Sequence, residues 1–429
     1  MLHSMFSAMF SAEDKMLLQE LGKQLNEIAH SSDNLKKMRL WKSLRALQPE
    51  RPMFVVDKSI FRYIVDKNPP ESLKLHCKDE FLRSIEKNLR LQILQAKLGD
   101  DFVVCPFLEI PWDIEISDYG VPLIMIKPSE DSIASTYEFP ILSGEDAKKL
   151  VRRNFSCNRE SSAAKKAILD DIFDGILDIR LCGPDYMRNE MTKTLYSLIG
   201  MENMMIWLYD EPELFHYLTN YLCEDKERFF KWLEGEKLLS LNNENQYSGG
   251  GSPGFIGASV IGATSDNHPQ KNHPPVALRD LWCWTESQET LGISPAMYTE
   301  FILPYLSRLA KLFAHVYYGC CEPLHDRIHY IKEAFPNLKA VSVSPWSDKE
   351  KVAESLSTHY VYSSKPMPSF LSGHNPDWDM QKKEVDEVLS ATRKHNCKLE
   401  FILRDVYDVG GDDSRLGDWA DMMRAQVGF

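Results

Sequence analysis

The chain has 429 residues, of which 43% are hydrophobic and 26% charged, and it carries a formal net charge of −13. That length can bury a sizeable core, as one large α/β barrel or as several smaller domains. The acidic balance and the lack of a long Lys/Arg cluster exclude a nucleic-acid partner, whose binding depends on counterion release by basic side chains. No window approaches the roughly 20 apolar residues that a membrane span needs.

Residues 1–16 alternate Met and Phe with Ser and Ala, without a basic leader or an apolar stretch of signal-peptide length, so a cytoplasmic location is expected. Nine cysteines, an odd number scattered along the chain, fit reduced thiols better than a disulfide framework. Helix-period apolar positions (Leu17, Leu21, Leu25 and Ile28, then Leu35, Met38, Leu40 and Leu44) predict two lead-in helices over residues 12–47. A first strand is expected at 51–56 and a helix at 82–98, with Ile85, Leu89, Leu91 and Ile93 on its apolar face. Short apolar runs at 102–110, 121–126 and 137–141, separated by Pro, Gly and Asp clusters, predict an inserted hairpin layer over about 100–145.

From residue 172 the alternation becomes regular. It predicts a strand at 172–180, a helix at 185–199, a strand at 204–209 and a long helix from 211 to about 233. The last opens on Asp210-Glu211-Pro212-Glu213, an acidic turn with an early proline that suits a helix amino terminus. A strand at 237–242 leads into the aperiodic stretch 243–275, which contains Gly249-Gly250-Gly251-Ser252-Pro253-Gly254 and the proline-flanked His268 and His273. A stretch of that length inside a compact domain reads as a functional loop, and a mobile active-site lid is expected. Its glycines lack the Lys-Ser/Thr ending of a phosphate-binding loop.

The final third reads as strands at 276–284, 314–319, 338–343, 360–363 and 399–404. Between and after them come helices at 295–313 (capped by Ser294, with proline first), 326–334, 347–356 (opened by a Ser347/Glu350 capping box), 378–395 and 416–425. Such repetition implies parallel strands with right-handed crossovers. Even strand spacing without a dinucleotide fingerprint favours a (β/α)8 TIM barrel over residues 51–429, preceded by a helical lead-in over 1–50.

In a parallel β/α array the carboxyl ends of the strands form one face, where groups distant in sequence converge. Trp284-Thr285-Glu286-Ser287-Gln288-Glu289, Tyr318-Gly319-Cys320-Cys321-Glu322 and Ser344-Pro345-Trp346 end three successive strands, followed by Lys365 and then Arg404, Asp405 and Asp408. Thiolate and carboxylate on one mouth can bind zinc with an open position for a substrate atom, so Cys320, Cys321, Glu322, Glu286 and Asp405 are candidate ligands. Adjacent side chains on an extended segment point to opposite faces, so only one of the two thiols should face the mouth unless the chain kinks. Glu286, Asp405 and Lys365 are candidate catalytic groups, with Lys365 also suited to a substrate carboxylate. Trp284, Gln288, Tyr318 and Trp346 are the substrate-facing candidates. His325, His268 and His273 are further possible ligands, though His325 reads equally as a solvent-facing residue in a first helical turn.

The chain resembles the uroporphyrinogen decarboxylase superfamily from about Asp171 to its carboxyl terminus, and more loosely over residues 39–51. The resemblance rests on Gly200-Met201-Glu202-Asn203 with Asp210-Glu211-Pro212-Glu213, on Ser294-Pro295 through Phe301-Ile302-Leu303-Pro304-Tyr305, and on Tyr318-Gly319-Cys320-Cys321. Pro336-Asn337-Leu338, Ser344-Pro345-Trp346 and Arg415-Leu416 complete it. It implies a (β/α)8 barrel. The decarboxylase branch holds propionates with an early Arg-Gln-Ala-Gly-Arg segment, where this chain reads Met53-Phe54-Val55-Val56-Asp57-Lys58. The cobalamin-linked methyltransferases bind zinc through His-x-Cys and a later Cys. Here Tyr318-Gly319-Cys320 takes the first position and Asp405 falls near the second, with Glu286, Cys321 and Glu322 as substitutes.

The resemblance therefore implies a zinc-dependent methyltransferase that moves a methyl group from a small O-, N- or S-methylated compound to a corrinoid on a partner protein. Two alternatives compete: a metal-free decarboxylase of the uroporphyrinogen type, with Lys365 or Arg404 on substrate carboxylates, and a non-catalytic binding barrel.

Overall fold

The computed structural model describes residues 11–130, 132, 134–184, 187–256 and 275–428. Its parallel strands are β1 (Met53–Val56), β2 (Phe107–Pro111), β3 (Asp178–Cys182), β4 (Trp282–Thr285), β5 (His315–Tyr318), β6 (Leu338–Val343), β7 (Val361–Ser364) and β8 (Lys398–Leu403). A seven-stranded sheet runs β1-β8-β7-β6-β5-β4 and ends on the stub Arg188–Asn189, while β2 and β3 pair with each other. All these pairings are parallel. The free edge of β1 turns towards β2: the Asp101 N–H donates to Phe54 O at 2.9 Å, and Asp101 Oδ2 accepts from Phe54 N at 2.9 Å.

The sheet strands are near-continuous apolar runs because both faces are covered, as parallel sheets require. Successive side chains divide between two cores. Met53, Val55, Trp282, Trp284, Tyr317, Ala340, Val361 and Ile402 share one, while Phe54, Val56, Cys283, Tyr318, Val341, Tyr362 and Phe401 share the other with the outer helices. Helices Ala12–Ala29 and Ser32–Arg45 fall where the sequence predicts, each opened by a serine that accepts from the backbone (Ser11 from Asp14 N, Ser31 from Asn34 N). The expected insertion contains the antiparallel pair Ile124–Ile126 with Thr136–Glu138. No helix among the described residues is long and apolar enough to cross a membrane.

Several expectations need correction. Residues 204–209 are helical, not a strand: helix Met191–Asp210 continues through a kink at Gly200 (φ 76°), where the Phe139 ring leaves no room for a Cβ. Helix Arg159–Ile172 occupies the start of the predicted strand 172–180, which begins only at Asp178. Residues 237–242 form no strand. Instead the Asn242 amide replaces a ladder partner, accepting from Trp282 N at 2.9 Å and donating to Trp282 O at 3.1 Å. Helix 295–313 is broken into Pro295–Phe301 and Leu303–Ala310, because Pro304 has no N–H to continue the ladder. Helix Lys349–Leu356 is capped by Asp348, which accepts from Lys351 N at 3.0 Å, while the Ser347 hydroxyl accepts from Leu324 N at 3.3 Å.

Candidate active site

The carboxyl ends of β4, β5, β7 and β8 bring the predicted groups to one face, in two arrangements. On one side lie the thiols. Gly319 follows β5 with φ +100°, a conformation open mainly to glycine, and the turn it makes places Cys320 and Cys321 side by side rather than on opposite faces. Their sulfurs are 3.7 Å apart, and Cys321 Sγ donates to Asp405 Oδ2 at 3.6 Å. Asp405 itself has φ 62°, and its Oδ1 accepts from the Tyr407 hydroxyl at 3.1 Å. The contact with Cys321 and burial push the Cys320 thiol far above its usual range.

Arg404 completes this side. Its Nε is 3.3 Å from Asp405 Oδ2, but off the hydrogen-bonding line, so Nε and Nη1 are buried donors without a hydrogen-bond partner among the described residues. Burial opposes its charge, and the carboxylates of Asp405 and Asp57 outweigh that cost and hold the guanidinium protonated.

Across the mouth the carboxylates are fully buried and engaged. Glu322 Oε1 accepts from Ser287 N at 3.0 Å and Oε2 from Cys320 N at 2.9 Å, so this side chain ties the turn after β4 to the turn after β5. Glu286 accepts from Arg188 Nη2 at 3.2 Å and Gln288 N at 3.1 Å. Burial, then the charge of Glu289, raises Glu286 to about 8 against the pull of Arg188; burial likewise raises Glu322. Glu289 accepts from Thr192 at 2.7 Å and from Gln288 Nε2 at 3.3 Å. Trp284 lies between the two sides, its indole N–H donating to Gly319 O at 2.9 Å, with Arg188 over its ring at 4.1 Å and Arg404 at 5.9 Å.

Beneath the mouth, Lys365 donates to the Tyr317 hydroxyl at 2.7 Å and to Ser363 at 2.9 Å, and burial lowers it to about 7. Deeper still, Arg45 from the second lead-in helix pairs with Glu400 at 3.0 Å, both side chains fully buried, and Glu400 accepts from Ser252 at 2.7 Å. The described part of the glycine run lies against these groups. A Cβ at Gly249 would stand 2.5 Å from the Tyr317 ring, and one at Gly251 2.5 Å from Asp57, so the backbone runs over surfaces that admit no side chain.

The sequence reasoning missed Tyr317, Ser363, Arg188 and the Arg45–Glu400 pair. It selected Tyr318 instead, whose hydroxyl contacts Ser287 at 2.8 Å and Tyr298, buried among the outer helices. Strand alternation sets Tyr317 and Tyr318 on opposite faces without saying which of them faces the mouth. Gln288 stands beside Glu286 and Glu289, while Trp346 is 57% exposed. His325 Nδ1 accepts from Asp348 N at 3.2 Å, securing the next turn. His268 and His273 lie outside the described residues.

The five predicted ligands do not share one shell: Glu322 and Glu286 are turned to their own partners, leaving Cys320, Cys321 and Asp405 in sequence. Among the described residues no group of three or more His, Cys, Asp and Glu side chains closes around a point that could hold a metal ion.

No protein-family profile matches the chain, and no curated protein matches it. Among solved structures it is similar to a methyltransferase from Methanosarcina mazei, at 10% identity and a TM-score of 0.47, over 90% of this chain and 97% of that one. A likeness of that degree carries no argument about chemistry, so the site is read from its own residues.

Proposed function

We propose that this chain is a cytoplasmic methyltransferase of the uroporphyrinogen decarboxylase superfamily, with its parallel strands closing as a (β/α)8 barrel. It takes a methyl group from a small O-, N- or S-methylated compound and delivers it to a corrinoid-binding partner protein. The observation that carries the reading is the line of donors Cys320 Sγ, Cys321 Sγ and Asp405 Oδ2, with separations of 3.7 and 3.6 Å. Neighbouring ligands of a tetrahedral zinc with Zn–S about 2.3 Å and Zn–O about 2.0–2.2 Å stand roughly 3.5–3.8 Å apart. The donor types suit zinc, and Cys320, Cys321 and Asp405 would hold it once their side chains close around a single point, which they do not do in this arrangement. When bound, zinc would act as a Lewis acid on the heteroatom that carries the methyl group.

The remaining steps belong to side chains. Arg404, held protonated beside Asp405, would favour a donor that carries an anionic substituent through its charge near the thiols. Lys365, lowered to about 7 and within the electrostatic reach of Cys320, supplies a proton to the departing heteroatom. Trp284 packs the wall between them. Incubation with free cob(I)alamin and a panel of methylated compounds tests the reading by the spectrum of methylcobalamin. Wild type is expected to form it with at least one donor and Cys321→Ser to lose it; formation at an unchanged rate in Cys321→Ser contradicts the assignment.

A second reading, metal-free decarboxylation, is favoured by one observation: two buried cations, Lys365 and Arg404, serve the same mouth. Release of CO₂ from uroporphyrinogen or a related polycarboxylic acid, abolished in Lys365→Met, would establish it.

A further inference from the structure

Away from the thiols, helices Met191–Asp210 and Pro212–Gly235 and the inserted hairpin line a separate cleft of about 240 Å³ that opens to solvent. One water needs about 10–15 Å³ by the same measure, so the cleft has room for a small organic molecule. Its charged lining is Lys226, Lys193, Arg153 and Glu190, and its other walls include Tyr119, Tyr137, Met191 and Leu222.

The cations are not equally occupied. Arg153 is held by Asp225 at 2.6 Å and lies over the Tyr119 ring at 4.6 Å. Glu190 is held by Arg188 at 2.9 Å, with Lys193 3.9 Å away. Among the described residues Lys226, alone of the four, forms no hydrogen bond or ion pair; its ammonium lies by the Phe230 and Phe229 rings, at 5.5 and 6.0 Å. Lys226 is half-buried and lines the cleft. Burial pulls Lys226 below the ordinary lysine range, with Glu190 opposing. An ammonium left unpaired in a cleft that also presents Arg153 and Lys193 offers an anion an open partner.

We propose that this cleft is a second ligand site, which takes a small organic carboxylate with its head on Lys226 and its apolar body against Tyr119, Tyr137 and Met191. The assignment is independent of the chemistry at the thiols. The site touches the mouth through one relay: Glu190 binds Arg188, which binds Glu286 at 3.2 Å. Occupancy at Lys226 is therefore positioned to change how firmly Arg188 is held.

Isothermal titration calorimetry of the full chain with benzoate, acetate and inorganic phosphate tests the site. Benzoate is expected to bind more tightly than acetate, at least tenfold more weakly to Lys226→Met, with most affinity restored in Lys226→Arg and none lost in Cys321→Ser. Lys226→Met removes an unpaired charge and should leave the melting temperature unchanged, so lost binding would not reflect unfolding. Absence of saturable benzoate binding, equal binding by Lys226→Met, or binding of phosphate alone would each overturn the proposal.

Discussion

The two sides of the mouth share residue types but not construction. Glu322 and Glu286 are buried to completion and spend their oxygens on backbone N–H groups and Arg188, so they hold the turns after β4 and β5 in register. Cys321 and Asp405 sit on turns with positive φ at Gly319 and Asp405, next to a guanidinium with two unmatched donors. Satisfied groups make a frame, and under-satisfied groups on strained turns are where chemistry is kept. Sequence alone ranked both sets together, because carboxylates at strand ends look alike until their partners are known.

Substitutions should separate the two. Cys321→Ala is expected to lower methyl transfer by about 100-fold or more, the scale on which loss of one preorganised charge-stabilising group acts. Its denaturant midpoint should barely move, since the thiol has only two weak contacts to lose, to Cys320 and Asp405. Glu322→Ala should do the reverse first. Removing the acceptor of two buried N–H groups is expected to cost about 3 kcal/mol in urea unfolding; a stability equal to wild type would show that the frame does not depend on this carboxylate.

The pH dependence sharpens the contrast. Glu286 in the folded chain holds its proton to about 8, against 4.5 when unfolded, so its contribution is present below the unfolded value and is lost as pH rises through 8. Lys365 is lowered from 10.5 to about 7, so the folded state binds fewer protons between those values and stability rises with pH across that window. Stability should therefore dip near pH 7 to 8. Glu286→Gln should flatten the acid limb and Lys365→Met the alkaline one, both read from chemical denaturation at a series of pH values. The smallest effect is expected from Asp405→Asn, which tolerates the same backbone conformation and should shift stability by less than about 0.5 kcal/mol, while methyl transfer falls with the lost carboxylate charge.

Much of the strand order was legible, since β1 and β4 to β8 are short apolar runs bounded by polar turns. The misreading at 204–209 has a physical origin: Met-Met-Ile-Trp-Leu-Tyr lacks the polar face that marks a surface helix. The site was legible as a list and not as a geometry. Period two separates Tyr317 from Tyr318 but does not say which faces inward, and only the turn at Gly319 shows that both thiols share a side. Arg188 and Arg45 were invisible because they reach the site from the stub beside β4 and from a lead-in helix, with no local pattern to announce them.

Zinc analysis of the purified chain tests the central assignment most directly. Stoichiometric zinc in wild type, lost in both Cys321→Ser and Asp405→Ala while their folded spectra persist, is the predicted result. Zinc-free wild type that still transfers methyl groups, or full zinc in both variants, would contradict it.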